Sequence, residues 1–236
     1  MATRRRAHSP EPNIAAIGAL IGDPGRGAML MALLDGSERA ASELALRAGL
    51  SPQAATAHLK KLVAGGMLAA RDAGRNRFFR LASGEIGEAI EILAAISPSV
   101  HVATLAQSNT LERMRLARSC YDHLAGRLGV ALTDRLIACR AIAPKGDDFA
   151  LGAQASAIFG ELDIDLEAIA GERRRFARAC LDWTERRPHI AGALGAALLE
   201  LFLRNRWVVR TKSDRSLHVT ADGTRALAQR FRVNLA

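Results

Sequence analysis

The apolar positions between residues 23 and 81 follow two periods, and the change of period predicts the local fold. Asp23-Pro24 opens a helical pattern through Met29, Leu30, Leu33 and Leu34 that stops at Gly36. A short helix follows over 42–48 and ends at Gly49-Leu50. Residues 51–62 read SPQAATAHLKKL, with Ser51 as a good N-cap and Pro52 suited to the first helical position. At 3.6 residues per turn Ala55, Leu59 and Leu62 share one face, and Gln53, Thr56, Ala57 and Lys60 share the opposite one. Gly65-Gly66 ends that helix, and the alternation over 67–71 predicts a strand. Residues 72–76 are turn-like, and 77–81 predict the return strand.

Within 85–96, Ile86, Ile90 and Leu93 fall on one helical face. From Pro98 a long helix is predicted, with Val102, Leu105, Leu111, Met114, Leu116, Leu124 and Leu128 as its apolar side. Gly129 interrupts it, and Leu132, Leu136 and Ile137 continue in a second helix. A loop at 143–148 leaves room for a hairpin before Phe149. Helices are expected over 166–183 and from Pro188 through Leu194, Leu198 and Leu201. The stretch 201–210 then echoes 62–71, with a turn at 212–215, a return strand over 217–219 and a closing helix from Thr220. This predicts a second winged-helix-like unit near 188–236. Its leading helix lacks the polar face of Gln53 to Lys60, so a sensor or dimer scaffold is expected there.

Helix, helix, polar-faced helix and basic hairpin, in this order, form a winged helix-turn-helix pattern. The polar face offers an amide, a hydroxyl, a small residue and an ammonium to a major groove, so Gln53, Thr56 and Lys60 are the expected base contacts. Ser51, His58, Arg71, Arg75 and Arg77 are the expected backbone and wing contacts. The expected fold is mainly α: a basic disordered tail over 1–12, a winged helix-turn-helix with a β-hairpin wing over 13–97, and a helical domain over 98–236.

The residues Asp23-Pro24-Gly25-Arg26, the run SELALRAGLSPQAATAHLKKL over 42–62, and Gly66-Met67-Leu68 leading into the arginine-bearing wing resemble the ArsR-type family of bacterial transcriptional repressors. The resemblance covers the chain up to about residue 95. It implies a homodimer that binds a double-stranded DNA operator with two half-sites and releases it when an effector binds. It also implies dimerisation through the helices at 14–21 and 85–96. The family's usual metal site on the helix before the reading helix is missing, because 42–48 contains no cysteine or histidine. The second usual site, at the dimer helices, finds little support in 85–96, and His101 follows without a motif.

Composition agrees with a polyanion partner: 236 residues carry a net charge of +9 and the sequence pI is about 10.6. Charges interrupt every apolar run, so no membrane span is expected. The start MATRRRAHSPEP has no hydrophobic segment behind it and does not read as a secretory signal. Three widely spaced cysteines favour a reducing cytoplasm over a disulfide framework. There is no glycine-rich phosphate loop, nucleophile elbow or paired-histidine zinc helix, so an enzyme is not expected. An architectural or partner-docking DNA binder without an effector is the alternative.

Two clusters remain beyond the winged helix. One is Arg118-Ser-Cys120-Tyr-Asp122-His123, where a helix would point Cys120 and His123 the same way. The other holds Cys180, Asp182 and His189, with Trp183 and Glu185-Arg186-Arg187 between. Thiolate plus imidazole suits zinc, copper or a thiophilic metalloid, which makes Cys120, Asp122, His123, Cys180, Asp182 and His189 candidate ligands. Many members of the resembled family sense metals in this way, and the runs RSCYDHLAG and CLDWTERRPHIAGALG resemble those of its longer members. Cys120 and Cys180 are alternatively a redox pair, if their Cα atoms approach within about 7 Å. The plain alternative is packing, with buried cysteines and an Asp182, Glu185, Arg186, Arg187 salt-bridge network. Cys139 reads as core, and Trp183 as a packing anchor or a pocket wall.

Overall fold

The computed structural model describes residues 11–98 and 102–235. Most of the expected basic tail, and His101, therefore lie outside the described residues. About half of the chain is helical, with small antiparallel sheets. Contacts divide it into two units, one built from the chain up to Met31 and Glu38–Ala82, the other from Ala32–Ser37 and the chain from Ser83 onward.

The first unit holds α1 (Ile14–Ile21), α2 (Pro24–Ala32, its last residue grouped with the second unit), β1 (Arg39–Ala40), α3 (Ala41–Ala48), α4 (Pro52–Ala64), β2 (Leu68–Ala73) and β3 (Asn76–Leu81). Its caps are the ones the sequence predicts. Ser51 Oγ accepts the Ala54 N–H at 3.3 Å, and Gly49 closes α3 with φ +64°. Ala55, Leu59 and Leu62 of α4 are buried, as are Leu44 and Ala45 of α3. The strands pair in the order β1-β3-β2, with Ala73 opposite Asn76 around the Gly74-Arg75 turn. This is a winged helix-turn-helix.

Besides Ala32–Ser37, the second unit holds α5 (Gly84–Ile96). Next come α6 (Leu105–Leu116), β4 (Arg118–Cys120), β5 (His123–Ala125), α7 (Gly126–Ala138), β6 (Ile142–Lys145), β7 (Asp148–Leu151) and the short α8 (Ala155–Glu161) and α9 (Leu166–Ala170). Then β8 (Arg178–Leu181), β9 (Pro188–Ala191), α10 (Gly192–Arg204), β10 (Val208–Arg210), β11 (Leu217–Val219) and α11 (Ala221–Ala226) complete it, with a π-helical turn at Leu227–Phe231. A four-stranded sheet runs β6-β7-β8-β9, beside the two-stranded sheets β4-β5 and β10-β11. Leu128, Leu132 and Leu136 of α7 and Leu194, Leu198 and Phe202 of α10 are central to one apolar core.

This unit is an internal duplication. Arg118-Ser-Cys120-Tyr-Asp122 corresponds to Arg178-Ala-Cys180-Leu-Asp182, and His123-Leu-Ala-Gly-Arg-Leu-Gly129 to His189-Ile-Ala-Gly-Ala-Leu-Gly195. The cysteines are 60 residues apart and the histidines 66, so the second copy carries an insertion at 183–188. Each copy is a strand pair followed by a helix, a hairpin and a closing helix. Both long helices start at a left-handed glycine, Gly126 with φ +77° and Gly192 with φ +79°. The winged-helix-like pattern expected near 188–236 is present as β9, α10, β10-β11 and α11. Its earlier twin, from β5 to α8, was not expected.

Several helical expectations fail in this unit. Cys120 and His123 are not a turn apart on a helix but opposite each other in the β4-β5 hairpin, with Tyr121 at φ +56° in the turn. Residues 117–120 and 123–126 are buried on every side, so the run has no amphipathic period to separate strand from helix. The helix expected over 166–183 ends at Ala170, and 178–181 is the strand β8 between β7 and β9. Pro188 starts a strand, and the helix starts only at Gly192. Gly129 does not interrupt α7: a Cβ there would lie 2.5 Å from the Leu124 carbonyl oxygen, so glycine lets the β5 backbone pack on the helix. The expected helix at Pro98 begins at Leu105, where Thr104 and Gln107 form a capping box.

Candidate functional site

The candidate nucleic-acid surface is the outer face of α4 together with the wing. Gln53, Thr56, Ala57 and Lys60 are exposed on that face. Thr56 Oγ donates to the Pro52 carbonyl at 2.8 Å, which fixes its rotamer and leaves its methyl and oxygen lone pair outward. A groove of about 400 Å³ runs between α4 and β3, lined by Thr56, Lys60, Val63, Arg77 and Phe79 among others. Arg75 is exposed at the wing tip.

The other expected contacts have partners inside the unit. Ser51 caps α4. His58 Nδ1 lies 3.4 Å from Asp23 and 3.3 Å from Arg26, so it ties α4 to the start of α2. Arg71 bridges to Glu38 at 2.6 Å, and Arg77 lies 3.5 Å from Asp72 and over the Phe79 ring. The hydrogen bond from Arg71, against a smaller burial effect, holds the Glu38 carboxyl below its usual range.

In the second unit β4-β5 and β8-β9 bring Cys120, His123, Cys180 and His189 into one buried cluster whose ligand atoms all lie within 4.8 Å of one another. Each copy of the duplication supplies one cysteine and one histidine. Cys120 Sγ and Cys180 Sγ are 3.8 Å apart, and the two Nε2 atoms 3.1 Å. The side chains are 0–3% exposed. The sulfurs would have to close by about 1.8 Å to reach disulfide length.

The two carboxylates among the candidate ligands, Asp122 and Asp182, lie behind the histidines and outside this cluster. Asp122 Oδ1 lies 3.3 Å from His123 Nδ1, while its other oxygen pairs with Arg174 at 2.7 Å. Asp182 Oδ2 lies 3.3 Å from His189 Nδ1 and accepts from Arg118 at 2.8 Å and from the Gly126 N–H at 2.7 Å. Its Oδ1 accepts from Thr184 N–H at 2.9 Å, Thr184 Oγ at 2.6 Å and Glu185 N–H at 3.1 Å. The lone pairs of Asp182 are thus taken by Arg118, Gly126, Thr184 and Glu185, and His189 Nδ1 lies beside it as a charge contact without a hydrogen bond.

The electrostatics are polarised. Burial, then the neighbouring Cys180 sulfur, raises the Cys120 thiol well above its ordinary range. The hydrogen bond from Cys120, helped by both histidines against burial, holds Cys180 far below its own. Burial opposes a charge on His123, but Asp122 and the Cys180 sulfur outweigh it and push the ring up to about 9. Burial keeps His189 below its ordinary value. Charge is thus favoured on Cys180 and His123 and disfavoured on Cys120 and His189.

Other residues singled out by the sequence take structural places. The Arg118 guanidinium lies 4.6 Å from the Trp183 ring centroid, so Trp183 packs as an anchor. Arg186 donates to the Ala95 carbonyl of α5, and Arg187 pairs with Asp134 at 2.7 Å. Cys139 is half-buried at the end of α7, at the margin of the core. On α5, Ile90 is buried within the unit, so the exposed apolar edge is Ile92, Leu93 and Ile96 and not the expected Ile86, Ile90 and Leu93. Tyr121, which sequence reasoning passed over, packs its ring against Gly87 of α5 and donates its N–H to the Leu34 carbonyl at 2.7 Å.

No helix among the described residues is long and apolar enough to cross a membrane. No protein-family model matches the chain. It is 38% identical over 224 residues to the uncharacterized HTH-type transcriptional regulator YdfF of Bacillus subtilis, covering 95% of this chain and 99% of that one. Among solved structures, HlyU of Vibrio cholerae is 30% identical with a TM-score of 0.32, over 34% of this chain and 86% of that one. The cadmium sensor CmtR of Mycobacterium tuberculosis is likewise 30% identical with a TM-score of 0.32, over 38% of this chain and 93% of its own. The chain, a winged helix-turn-helix protein with a second C-terminal unit, belongs with YdfF to the HTH-type transcriptional regulators.

Proposed function

We propose that the chain is an effector-responsive repressor of the cytoplasm that holds its operator as a homodimer and releases it when the Cys120, His123, Cys180 and His189 cluster changes state. Gln53, Thr56 and Lys60 read base edges, and Arg75 and Arg77 neutralise phosphates, with Ser51, His58 and Arg71 supporting that surface. The exposed Ile92, Leu93 and Ile96 of α5 suit a second copy of the chain.

One observation carries the reading over a DNA binder without an effector. The turn joining Cys120 to His123 is Tyr121, and its ring rests on Gly87 of α5. Two residues separate that helix from the wing strand β3. Arg215 reinforces the link, pairing with the buried Glu91 of α5 while donating to the Ser119 carbonyl at 3.2 Å, beside Cys120. A change in the cluster thus reaches the helix that continues from the wing.

The test is anisotropy of a labelled operator, selected from random DNA by the protein itself, titrated with zinc, arsenite, copper(I) and a mild oxidant. The Cys120→Ser, Cys180→Ser double variant is run in parallel. Release from the parent alone is the expected result. Unchanged affinity under every addition, together with equal affinity for random DNA, overturns it in favour of an architectural protein.

A further inference from the structure

We infer that Cys120, His123, Cys180 and His189 form a closed tetrahedral Zn(II) site built by the two copies of the internal duplication. This names the effector ion for the cluster in the proposed function and shares its residues, yet it stands without DNA binding.

Geometry carries it first. In a regular tetrahedron, Zn–S bonds of about 2.3 Å put two sulfurs about 3.8 Å apart, and Zn–N bonds of about 2.05 Å put two nitrogens about 3.3 Å apart. The cluster shows 3.8 Å between its sulfurs and 3.1 Å between its Nε2 atoms. Packing alone gives no reason for two sulfurs and two imidazole nitrogens to meet edge to edge in those spacings at the centre of a buried cluster.

Charge carries it second. Two thiolates and one divalent cation sum to zero, which suits burial. The carboxylates behind the imidazoles are already balanced, Asp122 by Arg174 at 2.7 Å and Asp182 by Arg118 at 2.8 Å. Asp122 is a hydrogen-bond partner of His123 Nδ1 at 3.3 Å, Asp182 is a charge 3.3 Å from His189 Nδ1, and the Nε2 atoms of both rings face each other. Two sulfurs with two nitrogens select a borderline ion, and no carboxylate points inward to favour magnesium or calcium. Binding needs both cysteines as thiolates and both Nε2 atoms bare, so it releases whatever protons those four atoms hold.

The duplication explains why the site is closed. Gly129 of α7 would place a Cβ 3.6 Å from the His189 Cβ, and Gly195 of α10 would place one 3.0 Å from the His123 Cβ. Each helix therefore presents a bare glycine to the other copy's histidine, letting the two strand pairs close on one point. All four positions of a tetrahedron are filled by protein, so the ion serves structure and signalling and not catalysis.

The experiment measures metal in the full chain purified under reducing conditions, then strips it with chelator and titrates Co(II). One zinc per chain is expected, with intense visible bands of tetrahedral cobalt and a thiolate charge-transfer band in the near ultraviolet. The Cys139→Ser variant should keep both signals. His189→Asn, and separately Cys180→Ser, should lose the tetrahedral spectrum. Trace zinc and a weak octahedral cobalt spectrum in the parent overturn the inference, whatever the variants do, and leave the DNA reading standing. Tight zinc with no effect on operator affinity upholds the site and refutes its role as effector.

Discussion

Asp182→Asn tests the framework behind the cluster. Arg118 and Asp182 both have side chains with no solvent exposure, joined at 2.8 Å. Asparagine keeps the shape and removes the charge, leaving the guanidinium buried without its counter-ion. Breaking a buried pair from one side costs about 3–5 kcal/mol. Arg118 keeps the Met114 carbonyl at 3.1 Å, Thr184 Oγ at 3.2 Å and the Trp183 ring, which places the loss near the lower end, at about 3 kcal/mol. At about 2–4 °C per kcal/mol for a chain of this length, the midpoint should fall by about 6–12 °C. Both tryptophans, Trp183 and Trp207, lie in the second unit, so denaturant unfolding followed by their emission reports that unit alone. His189 also loses the carboxylate charge 3.3 Å from its Nδ1, and zinc affinity should drop about 10–100-fold. Pairing Asp182→Asn with Arg118→Met should recover much of the stability without the zinc affinity, because an apolar replacement of a buried pair is often close to neutral. A loss below about 1 kcal/mol, or no recovery in the pair, would refute the assignment of this ion pair as the support of the cluster.

Gln53→Ala should cost about 1–3 kcal/mol on operator and much less on random DNA, and an equal loss on both removes Gln53 from base reading. Arg75→Ala should weaken both DNAs and reduce the slope of log affinity against log salt by about 0.9; an unchanged slope means it touches no phosphate. A Cβ on Gly87 would lie 2.8 Å from the Tyr121 ring. Gly87→Ala should therefore cost about 1–3 kcal/mol and blunt the metal response of DNA binding while sparing basal affinity; an intact response contradicts coupling through Tyr121. Burial opposes ionisation of Asp214, but Ser216, Arg113 and Thr211 outweigh it and hold its carboxyl well below the ordinary 3.8. A depressed carboxylate stabilises the fold above its unfolded value and loses that contribution as pH falls below about 4, so Asp214→Asn should narrow its gap from the parent in acid, and a gap independent of pH between about 6 and 3 rejects the linkage.

The winged helix was legible because every local signal in it agrees. Ser51-Pro52 caps a helix whose buried residues, Ala55, Leu59 and Leu62, are the ones its periodicity selects. The cluster was legible in composition and not in geometry. Cys120 and His123 were read onto one helix because 117–126 is buried on nearly every side and offers no period. Sequence proximity cannot separate Asp122 and Asp182, which stand behind the histidines, from the four side chains that meet in the cluster. The signal that would have resolved both was the repeat of Arg-x-Cys-x-Asp and His-x-Ala-Gly-x-Leu-Gly. The insertion at 183–188 hides it, because it separates His189 from Cys180 far more than His123 is separated from Cys120.

That insertion also bears on what an ion would do. One copy of the repeat supplies one sulfur and one imidazole, half of a tetrahedron, and the other half comes from a strand pair about 60 residues away. A complete site therefore exists only when both copies are docked, and binding energy at it is docking energy between them. The first copy's hairpin bears on α5 through Tyr121 and Arg215, and the second copy's strand β8 reaches the same helix through Arg178 and Glu88 at 3.5 Å. Both halves of the cluster thus grip one helix. An ion that draws the halves together acts on that helix from two points, which sets its position more firmly than either contact alone.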